Sequence, residues 1–235
     1  MLLSNNDIKR ELIKAKNLAI YPLKLENVKG SSLNLTASKH AWRVSDKKSA
    51  VVNNKIIIPP NDTVCIFGEE AIWVSRRIGG TYHPRVSLVS KGLGHISTTL
   101  DPQWYGLSLV AVSNPTSSQI EIRVGEAFVS IMLYYLKNPA PKGIIENQAS
   151  RPDISRGFIL TDDEDSYLQE QWHRTHQGIV DKMLSSNSYK ELVKDKTKLR
   201  RGLTNWLIHP LASSIIGGLI TTIIGGIVIY YLGMN

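Results

Sequence analysis

The chain of 235 residues has a single cysteine, Cys65. That excludes an internal disulfide framework and a cysteine-rich zinc site, and it suits a reducing compartment. The opening MLLSNNDIKREL lacks the apolar run of a secretory signal, so none is expected. A third absence lies near the other end. Residues 211–232, LASSIIGGLITTIIGGIVIYYL, are 22 residues without one charged side chain. A helix of that length spans ~33 Å at ~1.5 Å per residue, the hydrocarbon thickness of a bilayer. A buried core helix seldom runs so long without a polar stripe, and a C-terminal membrane anchor over residues 210–235 is therefore expected.

The flanks agree with a span. Trp206 precedes it and Tyr230 and Tyr231 close it, as interface aromatics do. Lys190, Lys194, Lys196, Lys198, Arg200 and Arg201 all stand on the N-terminal side, which predicts a single pass with the large N-terminal part in the cytoplasm. Within the span Ser213, Gly217, Thr221 and Gly225 recur every four residues, and Ser214, Gly218, Thr222 and Gly226 repeat the pattern one step around. Two adjacent small-residue ridges allow close helix approach in lipid, so self-association is expected. A monomeric, glycine-rich anchor is the plainer alternative, and a pore is a further step beyond self-association.

What charge there is, is unevenly placed. The net charge is +8; residues 1–138 hold 17 Lys/Arg against 10 Asp/Glu, and the remainder is nearly balanced. An excess on the globular part points to phosphate-bearing partners or anionic headgroups, or to a merely basic solvated surface.

Residues 5–16 pattern as a helix, with Ile8, Leu12 and Ile13 on one side. From 18 to 138 short β-rich runs follow: 18–20, 32–35, 55–58, 63–67, 72–74, 107–112, 119–124 and 127–135. Pro59-Pro60-Asn61-Asp62, Gly79-Gly80 and Asn114-Pro115-Thr116 punctuate them. The expectation is a sandwich, jelly roll or barrel. Residues 139–165 have linker composition, with Asp162–Asp165 suited to a helix N-terminus. A juxtamembrane helical region is expected over 166–209. Its first helix, 167–184, would carry Leu168, Trp172, Thr175, Ile179 and Met183 on one face. A short coiled-coil seam would then run through Tyr189, Leu192, Lys196, Leu199, Leu203 and Trp206, with His209-Pro210 as a kink into the anchor.

Three segments of the first 138 residues resemble the dCTP deaminase and dUTPase family. SNNDIKREL with IYPLKLENVKGSSLNL is similar to its opening helix and Ser-Ser-x-Asp-Leu strand; Ser31, Ser32, Leu33 and Leu35 match, with Asn34 at the usual Asp. HPRVSLVSKGL is similar to its Gly-Arg-Ser-Ser-x-x-Arg-x-Gly-Leu motif through Arg85, Ser87, Gly92 and Leu93. LDPQWYGLSLVAVSN is similar to its Ile-Asp-Pro-Gly-(Trp/Phe)-x-Gly stretch through Asp101, Pro102, Trp104, Gly106 and Asn114. The resemblance implies a mainly β, distorted barrel or jelly roll that forms a homotrimer with deoxynucleotide sites between subunits. The added helices could impose another number, four included. It also implies that Arg85 and Ser87 hold phosphates, Arg through its planar fork.

The departures matter as much. Val86 replaces one Ser of the motif and Ser90 its second Arg, with Lys91 next door as a charge of different geometry. Where the deaminases place a general acid/base Glu, this chain has Ala111, which cannot move a proton; Ser113 on the same face cannot replace a carboxylate. The zinc-deaminase pattern of His-x-Glu with Cys-x-x-Cys is absent too, as is a glycine-rich C-terminal arm of the dUTPase type. Asp101 could still orient water as a dUTPase aspartate does, or simply start a turn. A bound nucleotide could bring Mg²⁺ with it.

Other candidates are weaker. Arg76 and Arg77 precede Gly79-Gly80-Thr81 and could cradle phosphate, or form a basic loop. His83 and His95 flank the Arg85 motif and could meet a base. Trp104 suits a core position better than a stacking platform. His173 and His176 are three apart but lack partner ligands, so a helix-surface pair and no metal site is expected.

The sequence thus suggests a catalytically degenerate domain that binds a deoxynucleotide or short DNA oligomer and controls an oligomeric membrane bundle. In layout this resembles bacterial antiphage effectors, which would put it in the inner membrane. The alternatives are a tethered deoxynucleotide pyrophosphatase using Asp101 and a scaffold whose β-domain only oligomerises.

Overall fold

The structure is a computed structural model that describes residues 1–95, 98–142 and 150–195, with residues 222–224, 227 and 230. Two compact units are present, Met1–Lys190 and Glu191–Asn235.

The first unit opens with α1, Asn5–Lys14. Ser4 and Asp7 form a reciprocal capping box, and the helix stops at Ala15, left-handed at φ 49°. Ile8 and Leu12 are fully buried, and Glu11 shares their face because Asn17 Nδ2 donates to it at 2.7 Å.

Eleven strands follow: β1 (Leu18–Tyr21), β2 (Leu33–Arg43), β3 (Val51–Val52), β4 (Lys55–Ile58), β5 (Asp62–Val74), β6 (Ile78–Pro84), β7 (Gly94–His95), β8 (Thr99–Leu100), β9 (Tyr105–Asn114), β10 (Ile120–Arg123) and β11 (Ala127–Tyr135). Eight build one antiparallel sheet in the order β7-β9-β5-β2-β11-β6-β8, with β1 paired to the far half of β5; β10-β4-β3 form a second. β7 at one edge returns against β6 near the other, so the large sheet curls. Trp42, Phe67, Phe128, Leu35 and Ile66 fill its interior.

Several boundaries differ from those the residue pattern predicts. The expected runs 63–67 and 72–74 are one strand, β5, whose register shifts between Phe67 and Ala71. The shift absorbs Gly68-Glu69-Glu70, which in sequence has the composition of a turn. Gly79-Gly80 does not interrupt the chain; it lies inside β6. A Cβ at Gly80 would stand 2.8 Å from Met132 O, so glycine is required there by the neighbouring strand rather than by a turn. The expected strand 32–35 extends to Arg43, because Ser38 and His40 are buried.

The stretch 139–165 is more ordered than a linker composition suggests. It carries α3 (Pro152–Ser155) and the start of α4 (Asp162–Leu168), and its described residues belong to the same compact unit as the strands. Thr161 caps α4 in a second capping box with Glu164, and the four acidic residues of the first turn face the positive end of the helix dipole.

The single helix expected over 167–184 is broken. α4 ends at Leu168, a 3-10 turn spans Gln171–His173, and α5 runs His176–Ser185. Thr175, placed by periodicity on the apolar face, is instead the N-cap of α5 and accepts from Gly178 N–H. Ile179 and Met183 are fully buried where α5 packs on β1 and β5. Tyr189 donates its hydroxyl to Ile13 O at 3.0 Å.

In the second unit residues 191–195 are helical, as are Thr222, Ile223, Ile224, Ile227 and Tyr230. Among the described residues no helix is long and apolar enough to cross a membrane. The seam from Lys196 onward, the His209-Pro210 kink and most of the uncharged segment, with Ser213, Gly217, Gly218, Thr221, Gly225 and Gly226, lie outside the described residues.

Candidate functional site

The Arg85 motif is a strand end, a single helical turn and a glycine. β6 stops at Pro84, Arg85 stays extended, and α2 (Val86–Val89) follows. Leu88 and Leu93 are buried and anchor the turn. Gly92 adopts φ +90°, and a Cβ there would meet the Thr116 methyl at 2.4 Å, so the motif's glycine is a backbone requirement. Half-buried Arg85 donates Nη1–H to Ala127 O at 2.8 Å, which leaves most of its N–H groups uncommitted to that bond. Ser87 and Lys91 are exposed beside it, as are Val86 and Val89. His83 shares a hydrogen bond with Thr81 Oγ1 at 2.8 Å, and the side chain of His95 lies outside what is described.

β9 alternates cleanly. Ser108, Val110, Val112 and Asn114 are buried; Leu109, Ala111 and Ser113 form the half-buried opposite face. Ala111 stands opposite Cys65, and Ser113 Oγ is 2.9 Å from Thr63 Oγ1. This face of β9 carries no carboxylate. Asn114 organises the following loop: Nδ2 donates to Ile58 O and Ser118 O, and Oδ1 accepts from Thr116.

Asp101 is exposed and begins a turn closed by Trp104 N–H to Asp101 O at 3.1 Å. Trp104 is half-buried, and its Nε1 is shielded from solvent with no partner among the described residues. β8 pairs Leu100 with Gly80, so Asp101 lies level with the start of β6. Arg76 and Arg77 precede that start, whereas Arg85 follows the strand's end. Eight residues at ~3.3 Å per residue separate Arg77 from Arg85 by roughly 26 Å. Within one chain, therefore, Arg85, Ser87 and Lys91 form one group, and Arg76, Arg77 and Asp101 lie at the other end of β6.

The structure also assembles polar groups that residue patterns did not single out. Glu70, 2% exposed, accepts from Thr36 N–H at 2.8 Å and from the Thr36 hydroxyl at 2.7 Å. Lys24 Nζ meets Glu69 at 2.6 Å and Thr36 Oγ1 at 3.1 Å. Burial pushes the Glu70 carboxyl above its ordinary range, partly offset by the Thr36 bonds and Lys24. Nearby, the buried His40 ring stacks on Tyr167 with centroids 4.4 Å apart. Burial, with Lys39 adding to it, lowers the His40 pKa to about 4. The sequence signal for this cluster is two acids inside an otherwise apolar run, 64–74.

His173 and His176 are not a surface pair. His173 is fully buried, donating Nε2–H to Tyr167 O at 2.8 Å, while His176 is exposed beside Trp73. The break between α4 and α5 sends the two rings to different environments. Among the described residues no cluster of His, Cys, Asp and Glu could hold a metal ion.

No family model matches the chain. Among curated proteins it is similar to dCTP deaminase of Pyrococcus furiosus, 26% identical over 140 residues, covering 60% of this chain and 86% of the relative. It is also similar to a probable deoxyuridine 5'-triphosphate nucleotidohydrolase of Sulfolobus islandicus rod-shaped virus 1, 28% identical over 145 residues, covering 60% of this chain and 89% of the relative. Among solved structures, 2'-deoxycytidine 5'-triphosphate deaminase from Agrobacterium tumefaciens aligns with TM-score 0.47 and 15% identity, over 56% of this chain and 46% of that one. The dUTPase of S. aureus phage phi11 aligns at TM-score 0.40 and 11% identity, over 56% of this chain and 98% of that one.

Proposed function

We propose that the β-domain binds a deoxynucleotide, free or in a short DNA oligomer, without converting it, and that binding controls an oligomer anchored in the membrane. The observation that carries this reading is the outward face of β9. It presents Leu109, Ala111 and Ser113, where the family resemblance calls for a proton-carrying glutamate. General acid–base catalysis typically contributes ~10²–10⁴-fold, and neither alanine nor serine supplies it. The curated relatives are named for dCTP and deoxyuridine triphosphate, which supports a deoxynucleotide as the ligand. Arg85, Ser87 and Lys91 supply the phosphate contacts, with Mg²⁺ arriving on the nucleotide.

The separation of Arg85 from Asp101 along β6 supports an oligomeric site. A ligand touching both must be shared between copies, three by the family resemblance or another number set by the added helices. Uncharged residues 211–232 support the anchor. So do Ile223, Ile224, Ile227 and Tyr230, each more than half exposed in the single chain; lipid or neighbouring helices would cover them. On this reading the domain faces the cytoplasm of a bacterial inner membrane and serves antiviral defence through permeabilisation or a channel.

The test uses the full chain in detergent with dCTP, dUTP and Mg²⁺. Binding should be measurable and weakened tenfold or more by Arg85→Ala, with no turnover by chromatography. Release of ammonia or pyrophosphate would overturn the sensor reading. Pyrophosphate release abolished by Asp101→Asn would establish the hydrolase alternative instead.

A further inference from the structure

The turn between β5 and β6 opens onto a cleft of about 960 Å³ lined by Trp73, Tyr105, His176, Arg76, Arg77 and Lys142, with Gln103 at its wall. We infer that this cleft is a second ligand site, for a nucleoside phosphate, separate from the Arg85 group and standing whether or not that group binds nucleotide.

The lining has two chemistries. Trp73 and Tyr105 are directly opposed across the β5–β9 pair and both are half-buried, so their rings form a partly open aromatic floor. The His176 ring lies 5.6 Å from Trp73, tilted by 35°. Such a surface accepts a nucleobase through its π-face. Arg76, Arg77 and Lys142 supply the cations. Among the described residues no ion pair uses them and no carboxylate lines the cleft. A cleft with one sign of charge beside an apolar wall focuses its field on an anion. The volume falls within the ~300–1,000 Å³ of small-molecule sites.

The wall is also held in place by specific bonds. Arg76 Nε donates to Ala140 O at 2.6 Å, and Ala140 N–H returns to Arg76 O at 2.9 Å. Gln103 Nε2 donates to Pro141 O at 2.8 Å. Gln103 does so from a left-handed backbone at φ 73°, at the position where the resembling motif has glycine. A glycine would adopt that conformation without strain but could not hold residues 139–142 against the cleft. The distance of roughly 26 Å along β6 keeps the cleft from sharing a ligand with Arg85 of the same chain.

The test is calorimetric titration of the full chain in detergent with dCTP, a 5'-phosphorylated dC dinucleotide, deoxycytidine and inorganic tripolyphosphate. In an Arg85→Ala background a weaker dCTP or dinucleotide isotherm should remain. Arg77→Glu with Lys142→Glu should then weaken it tenfold or more. Trp73→Leu should weaken dCTP tenfold or more while leaving tripolyphosphate unchanged, and Trp73→Phe should restore it. Preference for dCTP assigns a free nucleotide; preference for the dinucleotide assigns a strand end. Loss of all binding on Arg85→Ala alone, or dCTP affinity unmoved by the Arg77 and Lys142 changes, would overturn the second site. Tripolyphosphate binding as tightly as dCTP, indifferent to Trp73, would reduce it to a simple anion patch. If Arg85→Ala changes nothing while the cleft variants abolish binding, the Arg85 reading fails and the cleft stands.

Discussion

Ser150 Oγ lies 3.2 Å from Nδ1 of the buried His173 ring, whose proton is placed by the partner of its other nitrogen. Tyr167 O can only accept, so Nε2 holds the hydrogen at 2.8 Å and Nδ1 accepts from the serine hydroxyl. Ser150 Oγ in turn accepts Leu107 N–H at 3.0 Å. One serine thus joins strand β9 to the turn that separates α4 from α5. Ser150→Ala would leave two buried groups unpaired, and each such group costs ~1–3 kcal/mol. Denaturant unfolding of the full chain should show a loss of roughly 2 kcal/mol; a change below about 0.5 kcal/mol would mean the bridge contributes nothing.

Stability should fall in mild acid. Burial holds the His40 and His173 rings neutral, with Glu164 and Glu170 opposing the shift and Lys39 and Arg174 adding to it. Their folded pKa values lie below the ordinary 6.5. As pH drops below that value the unfolded chain takes up protons first, so stability declines, for His40 down to about 4. Glu70 works in the other direction. Its folded carboxyl keeps a proton to higher pH than the ordinary 4.5, so its contribution falls as pH rises above that value. His40→Asn should flatten the acid limb of stability measured from pH 8 to pH 4. An unchanged slope would show that this ring does not titrate with unfolding.

Thr36 is the other polar pivot. Its hydroxyl has one proton, shared between Glu70 at 2.7 Å and Glu69 at 3.0 Å, and accepts from Lys24. Thr36→Val keeps the shape and the backbone N–H but removes those bonds. Hydrogen bonds to charged groups are worth about 1.5–3 kcal/mol, so a loss of that order is expected in chemical denaturation. Thr36→Ser should retain most of the stability. Equal losses for valine and serine would assign the effect to packing of the methyl group.

The helix α1, the strand β11 with both of its ends, and the acidic first turn of α4 were legible in sequence, because periodicity and charge placement are local properties. The resembling segments also located the glycine at position 92 and the loop-organising Asn114. What escaped was non-local. Gly80 looks like a break until Met132 O is seen beside it. Gly68-Glu69-Glu70 looks like a turn until β2 supplies Thr36. The helix expected over 167–184 fails because His173 is taken by Ser150 and Tyr167, a partnership no spacing rule encodes. Arg76 and Arg77 were candidates from sequence, but Trp73, Tyr105 and His176 reach them only through the β5–β9 register and the packing of α5. In sequence Arg76, Arg77, Arg85 and Asp101 are candidates for one site; the length of β6 divides them.

Two glycines of the β-domain are constrained for different reasons, and a second-site change should tell them apart. At Gly80 an added Cβ meets backbone, Met132 O at 2.8 Å, with Ile131 and Leu133 side chains at 3.1 and 3.2 Å. The partner strand cannot retreat without breaking the β6–β11 ladder. At Gly92 the added Cβ meets only the Thr116 methyl, at 2.4 Å, but the backbone is at φ +90°. That conformation costs an L-residue ~1–2 kcal/mol whatever the space. Gly92→Ala should therefore lose roughly 2 kcal/mol or more in denaturant unfolding, and adding Thr116→Ser should recover the steric part and leave the torsional part. The serine keeps the hydroxyl that bonds Asn114 Oδ1 at 2.7 Å, so the loop stays organised. The same Thr116→Ser change should recover nothing in Gly80→Ala, since the sites share no partner and their effects should add. Full recovery of Gly92→Ala by Thr116→Ser would mean that crowding alone, and not the left-handed backbone, fixes glycine beside the Arg85 turn.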